Sequence, residues 1–223
     1  YVYASEDYGD SWESLASNLP DGHTMNVIRE HPRNENLLVL GGEFGAYITI
    51  NRGEEWHQVK GAVPTVPVDD IAIHPRDNDL ILGTHGRSIW VLDDMTPLEE
   101  LSEQVLASEL HSFDVRDAVA YRLSNHKGNT GHKMFIAPNP PEGALIHYYL
   151  NDDITDEDTV EITIHGDADE TIRTLHGSGA TGLNRVNWDL RHEPPLPPTG
   201  QGGFGGPPAG PRALPGTYSV RIT

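Results

Sequence analysis

The chain has 223 residues, with 34 Asp and Glu against 15 Lys and Arg, which gives a formal net charge of −19. This acidic charge disfavours binding to nucleic acid or anionic membranes, and no apolar run approaches the roughly 18 residues of a membrane span. There is no cysteine, which excludes disulfides and thiolate-bound metals, while 23 Gly and 17 Pro favour a turn-rich β protein.

The first motif along the chain spans residues 5–12 and has the form Ser-x-Asp-x-Gly-x-Ser-Trp; residues 49–56 repeat it in degraded form. We expect Asp to accept backbone hydrogen bonds in a tight hairpin, Gly to supply a positive φ, and Trp to bury a large area over apolar neighbours. The residues given this structural role are Ser5, Asp7, Gly9, Ser11 and Trp12, then Thr49, Asn51, Gly53 and Trp56.

This eight-residue motif resembles the Asp-box, or BNR, repeat of sialidases, sortilin-type receptors and xyloglucanase-type glycoside hydrolases. In those families the box lies away from the catalytic centre. The resemblance therefore implies that Asp7 maintains a turn and is not a catalytic acid.

A longer segment, residues 27–38, recurs as residues 70–81, so that two His-Pro-Arg triplets begin 43 positions apart, at His31 and His74. A period in the low forties accommodates four short strands, the size of one β-propeller blade. The first period predicts strands over residues 25–30, 37–41, 45–51 and 56–60.

The His-Pro-Arg triplets are then turns between the first two strands of successive blades. At equivalent turns, His31 and His74 would lie far apart on one rim. This placement favours a structural role for both histidines over metal binding or acid–base chemistry.

A third copy of the box, residues 93–97, keeps an acidic residue but lacks the Gly and the Trp, which suits the last blade before the chain leaves a propeller. Residues 64–76 and 83–94 are similar to exported bacterial proteins described as sortilin-like or "glycosyl hydrolase" BNR proteins. The resemblance implies a secreted, periplasmic or cell-surface location. The hydrolase description rests largely on the repeat itself, which is an analogy at the level of fold.

Residues 96–108 form the one passable helical stretch, and residues 111–139 are irregular. His126 and His132 lie in a polar, glycine-containing segment without an evident third metal ligand, which favours a surface loop.

The last part of the chain predicts an antiparallel β-sandwich, with strands over residues 144–150, 160–164, 186–190 and 218–222. Residues 182–189 and 214–218 resemble the small Ig-like domain, akin to the flagellar hook-cap type, that closes many exported bacterial proteins. Residues 193–212 are rich in Pro and Gly but lack the Lys-Ser/Thr of a phosphate loop, which favours a mobile insertion.

The expected fold class is all-β: about two and a half blades of an Asp-box propeller over residues 1–105, a linker over 106–142 with a short helix and an irregular loop, and an Ig-like β-sandwich over 143–223. An arc of blades leaves an unpaired edge unless another strand covers it. We therefore expect the chain, including its sandwich, to be a piece of a longer protein.

The favoured function is a non-catalytic binding or scaffold module of an exported propeller, with a protein, peptide or glycan as ligand and without cofactor or metal. The alternative is part of a glycoside hydrolase of the xyloglucanase or sialidase type, with catalytic residues mostly outside this chain. Hydrolysis requires two carboxyl groups that flank the sugar. The acids near predicted strand ends are Glu43, Asp69, Asp70 and Asp94, which nothing in the sequence pairs, and Trp90 suits a core position better than a sugar platform.

Overall fold

The computed structural model describes residues 1–61, 63–121, 137–154, 160–194 and 209–223. These form two compact units, Tyr1–Glu103 and Gln104–Thr223. Both consist of small antiparallel sheets, so the prediction of a β class is confirmed. The expectations for His126, His132 and residues 195–208 lie outside the described residues.

The first unit contains three sheets, with two, four and three strands. Their strand orders are β1-β2, β3-β4-β5-β6 and β7-β8-β9. The strands are β1 (Tyr3–Ala4), β2 (Glu13–Ser14), β3 (Met25–His31), β4 (Asn34–Gly42), β5 (Gly45–Thr49), β6 (His57–Gln58), β7 (Val68–Ile73), β8 (Leu80–Thr84) and β9 (Ile89–Leu92). The four strands predicted for the first period thus occur as one sheet, although the fourth is shorter than predicted.

Within the four-stranded sheet, strand β4 is buried on both faces. Alternation along β4 sends Leu37 and Val39 into an apolar cluster shared with β7 and β8, whereas Leu38 and Leu40 enter a second cluster with Val2 and Trp56. This explains why β4 is a continuous apolar run and not an alternating one.

Strands β3 and β7, the first strands of their sheets, lie side by side and run in the same direction. They are linked by side chains: Asn26 Nδ2 donates to the Val68 carbonyl at 3.1 Å, and Arg29 Nε to the Ile71 carbonyl at 3.0 Å. Both contacts have the same offset along the two strands. Equivalent ends of the two sheets therefore lie on the same side.

This parallel arrangement defines two rims of the first unit. The entry rim, where β3 and β7 begin, carries residues 23–24, 43–44, 69 and 84–88. The Asp-box rim, at the opposite ends of these strands, carries the turns at residues 32–33, 50–56 and 74–79.

Two short helices, α1 (Thr96–Glu100) and α2 (Glu103–Leu106), replace the single helix predicted over residues 96–108. The helix breaks because Leu101 adopts extended backbone angles, with φ −62° and ψ 128°. Helical spacing of apolar residues did not reveal this break.

The described residues of the second unit form two three-stranded sheets with orders β10-β11-β14 and β13-β12-β15. Both contribute to one apolar cluster, which includes Ile146, Tyr148, Ile162, Ile164 and Trp188. The strands are β10 (Leu110–Ser112), β11 (Ala144–Leu150), β12 (Val160–His165), β13 (Thr171–Gly177), β14 (Gly182–Trp188) and β15 (Ser219–Ile222).

The predicted linker over residues 106–142 needs one correction. Leu110–Ser112 is a strand that pairs with β11 in the register Leu110↔Leu150. Three residues are too few to show an alternating pattern, and it is pairing along the edge of β11 that makes them a strand. The strand β13 was not predicted either, because its sequence alternates polar and apolar residues only weakly.

Gly41 tests the packing between the sheets. A Cβ atom there would lie 2.8 Å from Val27 Cγ1 and 2.9 Å from Val68 Cγ1, whereas one at the equivalent Gly83 would come no closer than 3.5 Å to Asp70. We expect Gly41→Ala to lower the free energy of unfolding by about 1–3 kcal/mol. Gly83→Ala should change it by less than about 0.5 kcal/mol. Equal effects in urea denaturation would contradict the close approach of the two sheets at Gly41.

Candidate ligand-binding rim

The first Asp box is a hydrogen-bonded turn centred on Asp7. Its Oδ1 accepts from Ser5 Oγ at 2.9 Å and from the Ser11 N–H at 2.8 Å, and its Oδ2 accepts from Ser11 Oγ at 2.6 Å. The side-chain and backbone hydrogen bonds from Ser11 lower the pKa of Asp7 to about 2. The carboxylate is therefore charged at neutral pH and unsuited to act as a general acid.

The second box reproduces this turn with an amide. Asn51 Oδ1 accepts from Thr49 Oγ1 at 2.7 Å and from the Glu55 N–H at 3.0 Å. Each box has two successive residues with positive φ: Tyr8 and Gly9 in the first, then Arg52 and Gly53 in the second, with φ values of 58° for Tyr8 and Arg52. A positive φ was expected only at the glycines.

The two boxes border a cleft of about 340 Å³ on the Asp-box rim. Ser11 and Asn51 line this cleft, where Glu6 forms an ion pair with Arg52. The structure thus brings members of the two boxes to one cleft. The Glu6 carboxylate there is already paired, and Asp7 does not line the cleft.

The two box tryptophans differ, which corrects the expectation for Trp12. Trp56 is 3% exposed and its Nε1 donates to the Leu15 carbonyl at 2.7 Å, whereas Trp12 is 65% exposed. Trp56 lies between the four-stranded sheet and β1-β2, while Trp12 directly precedes β2 of the two-stranded sheet. Burial of the box Trp depends on the neighbouring sheet, which the motif does not encode.

A residue of the first His-Pro-Arg turn contacts the second turn. His31 is 1% exposed, and its Nε2 lies 2.8 Å from Asn78 Oδ1 in the second turn. Asn78 Nδ2 donates to Glu99 Oε2 at 3.1 Å, and Arg33 makes two hydrogen bonds to the Glu99 carboxylate at 2.8 and 2.7 Å. A side-chain contact thus links the two turns, and His31 lies in a buried polar network.

This network shifts the titration of its charged pair. The hydrogen bonds from Arg33 lower the pKa of Glu99 below its usual 4.5, although burial opposes the shift, and the same pair raises the pKa of Arg33. His74, in contrast, is partly exposed and contacts Asp77 at 3.2 Å.

The four acids considered for hydrolysis have different roles. Asp94 is 7% exposed, and its Oδ1 accepts hydrogen bonds from the N–H and Oγ1 of Thr96 at 3.1 and 2.6 Å. It follows the end of β9 that lies opposite the entry rim. Asp70 forms an ion pair with Arg29 at 2.9 Å. Asp69 and Glu43 remain on the entry rim.

The entry rim carries exposed side chains of mixed chemistry. His85 Nδ1 lies 3.1 Å from Asp69 Oδ2, and both side chains are more than half exposed. The ring of His23 lies 4.5 Å from that of Phe44, which is 40% exposed. His23 Nδ1 is buried and has no hydrogen-bond partner among the described residues.

Close packing brings these groups to one surface. The contact of Gly41 with Val68 places the turn after β4, which contains Glu43 and Phe44, beside the start of β7, which contains Asp69. No sequence motif marks His23, Phe44 or His85. A usable signal was their placement, since Phe44 and His85 both follow the second strand of a repeated unit.

The described residues contain no group of three His, Asp or Glu side chains arranged to hold a metal ion. No helix among them is long and apolar enough to cross a membrane.

A family model, Sortilin-Vps10 (sortilin, neurotensin receptor 3), matches residues 1–115, slightly more than half of the chain. The match covers the whole of the first unit and leaves the chain beyond residue 115 unassigned. Comparisons with curated proteins and with solved structures give no match.

The tryptophan assignment gives a direct test of the two boxes. We expect Trp56→Ala to lower the free energy of unfolding by about 3–5 kcal/mol, because it removes a buried aromatic side chain. Trp12→Ala should cost less than about 0.5 kcal/mol, since Trp12 is 65% exposed. Chemical denaturation of both variants measures the difference, and a large loss from Trp12→Ala would show that Trp12 is buried after all.

The network around Glu99 predicts a pH-dependent contribution to stability. Because the folded pKa of Glu99 is lowered, its stabilisation is present above about pH 4.5 and is lost as the pH falls through the folded pKa. Glu99→Gln should lower the free energy of unfolding by about 1–3 kcal/mol at pH 7, with a smaller difference in acid. Glu103→Gln is the control, because Glu103 is exposed. A Glu99→Gln difference that stays constant down to pH 3 would contradict this role.

Proposed function

Because the chain belongs to the Sortilin-Vps10 family, whose propeller domains bind ligands, we propose that it is a non-catalytic, ligand-binding part of an exported propeller protein. The three sheets of the first unit are then blades, about two and a half in number. The second unit is an Ig-like β-sandwich that serves as a spacer or docking domain.

The observation that carries this proposal is the contrast between the two rims. On the Asp-box rim, Asp7, Asn51 and Asp94 all accept hydrogen bonds within their own turns. On the entry rim, Phe44 and the Asp69–His85 pair are exposed at equivalent positions of adjacent sheets. Exposed groups held on a rigid sheet are available to a ligand.

The chemistry of the entry rim suits a protein, peptide or glycan. Phe44 offers an aromatic face, and His85 and Glu43 offer hydrogen-bonding and charged groups. Peptides and sugars both present polar groups beside apolar surface, which such a rim can contact. Resemblance to exported bacterial proteins supports a secreted, periplasmic or cell-surface location.

The positions of the acids support binding over hydrolysis. Glycoside hydrolysis requires two carboxyl groups roughly 5–9.5 Å apart that flank the sugar. Asp94 accepts hydrogen bonds within its own turn on the opposite rim, and Asp70 is paired with Arg29, so neither supplies an unpaired carboxylate beside Asp69. The purified chain should release no reducing sugar from xyloglucan, related β-glucans or sialosides.

The binding test uses the labelled full chain on arrays of glycans and of peptides. We expect Phe44→Ala and His85→Ala each to weaken the signals of the wild type by about tenfold, which corresponds to loss of one good contact at about 1.4 kcal/mol. Trp12→Ala is the matched control, because it removes an exposed aromatic side chain from the opposite rim.

Three results would contradict the proposal. They are a wild type that binds nothing on either array, an equal loss from Trp12→Ala, and measurable sugar release that disappears in Asp69→Asn while the fold is kept. The third result would favour the hydrolase alternative.

A further inference from the structure

The second unit has an open seam between two strand edges. Among the described residues, β10 pairs only with β11, and β15 pairs only with β12. Leu110 of β10 and Ile222 of β15 line one common cleft of about 340 Å³. The two sheets are therefore separated on this side by a cleft, which lies outside the region matched to the family except at β10.

Both edges carry backbone groups that face away from the strand with which they pair. Glu161 and Thr223 exchange two backbone hydrogen bonds, both at 2.9 Å. In an antiparallel pair the backbone groups of successive residues face the partner strand and then away from it, so the N–H and C=O of Val220 and Ile222 face away from β12. The Glu109 carbonyl and the Phe113 N–H form backbone hydrogen bonds with β11 and the residue after it. By the same alternation, the N–H and C=O of Leu110 face away from β11. An added strand could satisfy these groups.

The floor of the cleft is apolar. Leu110 is 40% exposed, and Leu150 and Val160 are buried at its base. Exposed Leu110 beside two unpaired edges is a feature that soluble proteins usually cover. The remaining apolar lining residues are Ile154 and Ile222.

Acidic side chains surround the opening: Glu109, Asp152 and Asp153. Asp153 accepts a hydrogen bond from the Thr181 N–H at 2.7 Å, whereas Glu109 and Asp152 form no ion pair among the described residues. The lining that the structure describes is thus negative and contains no Lys or Arg. A partner with the opposite charge would gain electrostatic complementarity.

We propose that this seam binds an extended, basic segment of a partner protein. The segment adds a strand to the edge of β15, inserts an apolar side chain into the cleft, and places Lys or Arg against Glu109 and Asp152. This is recognition by β-strand addition, in which main-chain hydrogen bonds supply affinity and side-chain pockets supply specificity. A second copy of the chain is the poorer occupant, because each copy carries a net charge of −19.

The test measures fluorescence anisotropy of a labelled peptide that alternates lysine and valine, with the full chain as the binding protein. A peptide that alternates glutamate and valine should not bind. Asp152→Lys should weaken the basic peptide by about tenfold, through loss of attraction and added repulsion. Asp167→Lys, the same change in an exposed turn at the other end of β12, should alter the dissociation constant by less than about twofold.

A second pair of variants tests the apolar floor. Leu110→Ser should weaken the peptide by about tenfold, whereas Leu106→Ser, which changes a similarly exposed leucine outside the cleft, should leave it unchanged. Circular dichroism checks that each variant is folded. If Leu110→Ser unfolds, Asp152→Lys on the surface still decides the question.

The proposal is overturned if the basic peptide does not bind, if the acidic peptide binds as well, or if Asp152→Lys and Asp167→Lys have equal effects. The last result would assign binding to the overall charge. Sedimentation velocity adds a further outcome: a dimer that Leu110→Ser converts to monomer would replace the partner segment with a second copy.

Discussion

The first unit depends on burial of strand β4 on both faces of its sheet. A strand between two cores must supply apolar side chains in both directions, which is why residues 37–40 of β4 are all buried. The same constraint requires a residue without a side chain at Gly41, where Val27 and Val68 close in. The close approach there holds the second sheet against the first and aligns β3 with β7, so the two rims follow from packing and not from the turns themselves.

Because the sheets are aligned, the turns whose backbone N–H groups need side-chain acceptors all lie on one rim. On the Asp-box rim, side chains such as Asp7 and Asn51 accept from backbone N–H groups that the tight turns leave unpaired. The buried contact of His31 with Asn78 joins two further turns on this rim. A side chain used in this way is not available to a ligand, and its replacement would cost stability before it changed recognition.

Sequence reasoning succeeded where a structure is local and failed where it depends on neighbours. The Asp-box turns were predictable because the donors Ser5 and Ser11 lie within four residues of their acceptor Asp7. The different burial of Trp12 and Trp56 was not predictable, since it depends on which sheet lies opposite. The link from His31 to Asn78 and the strand Leu110–Ser112 likewise depend on distant partners, and the entry rim was missed because no motif marks exposed side chains.

The internal repeat itself indicates where specificity can arise. The two Asp-box turns keep the same spacing and the same φ pattern, because their hydrogen bonds allow little else. The turns on the entry rim differ: residues 43–44 join β4 to β5, whereas residues 85–88 join the equivalent pair. A turn whose length and side chains can change without loss of the sheet is free to fit a ligand. Repeated units built in this way combine a constant Asp-box rim, which preserves the fold, with an entry rim whose contacts can change. For this reason we expect ligand recognition on the entry rim.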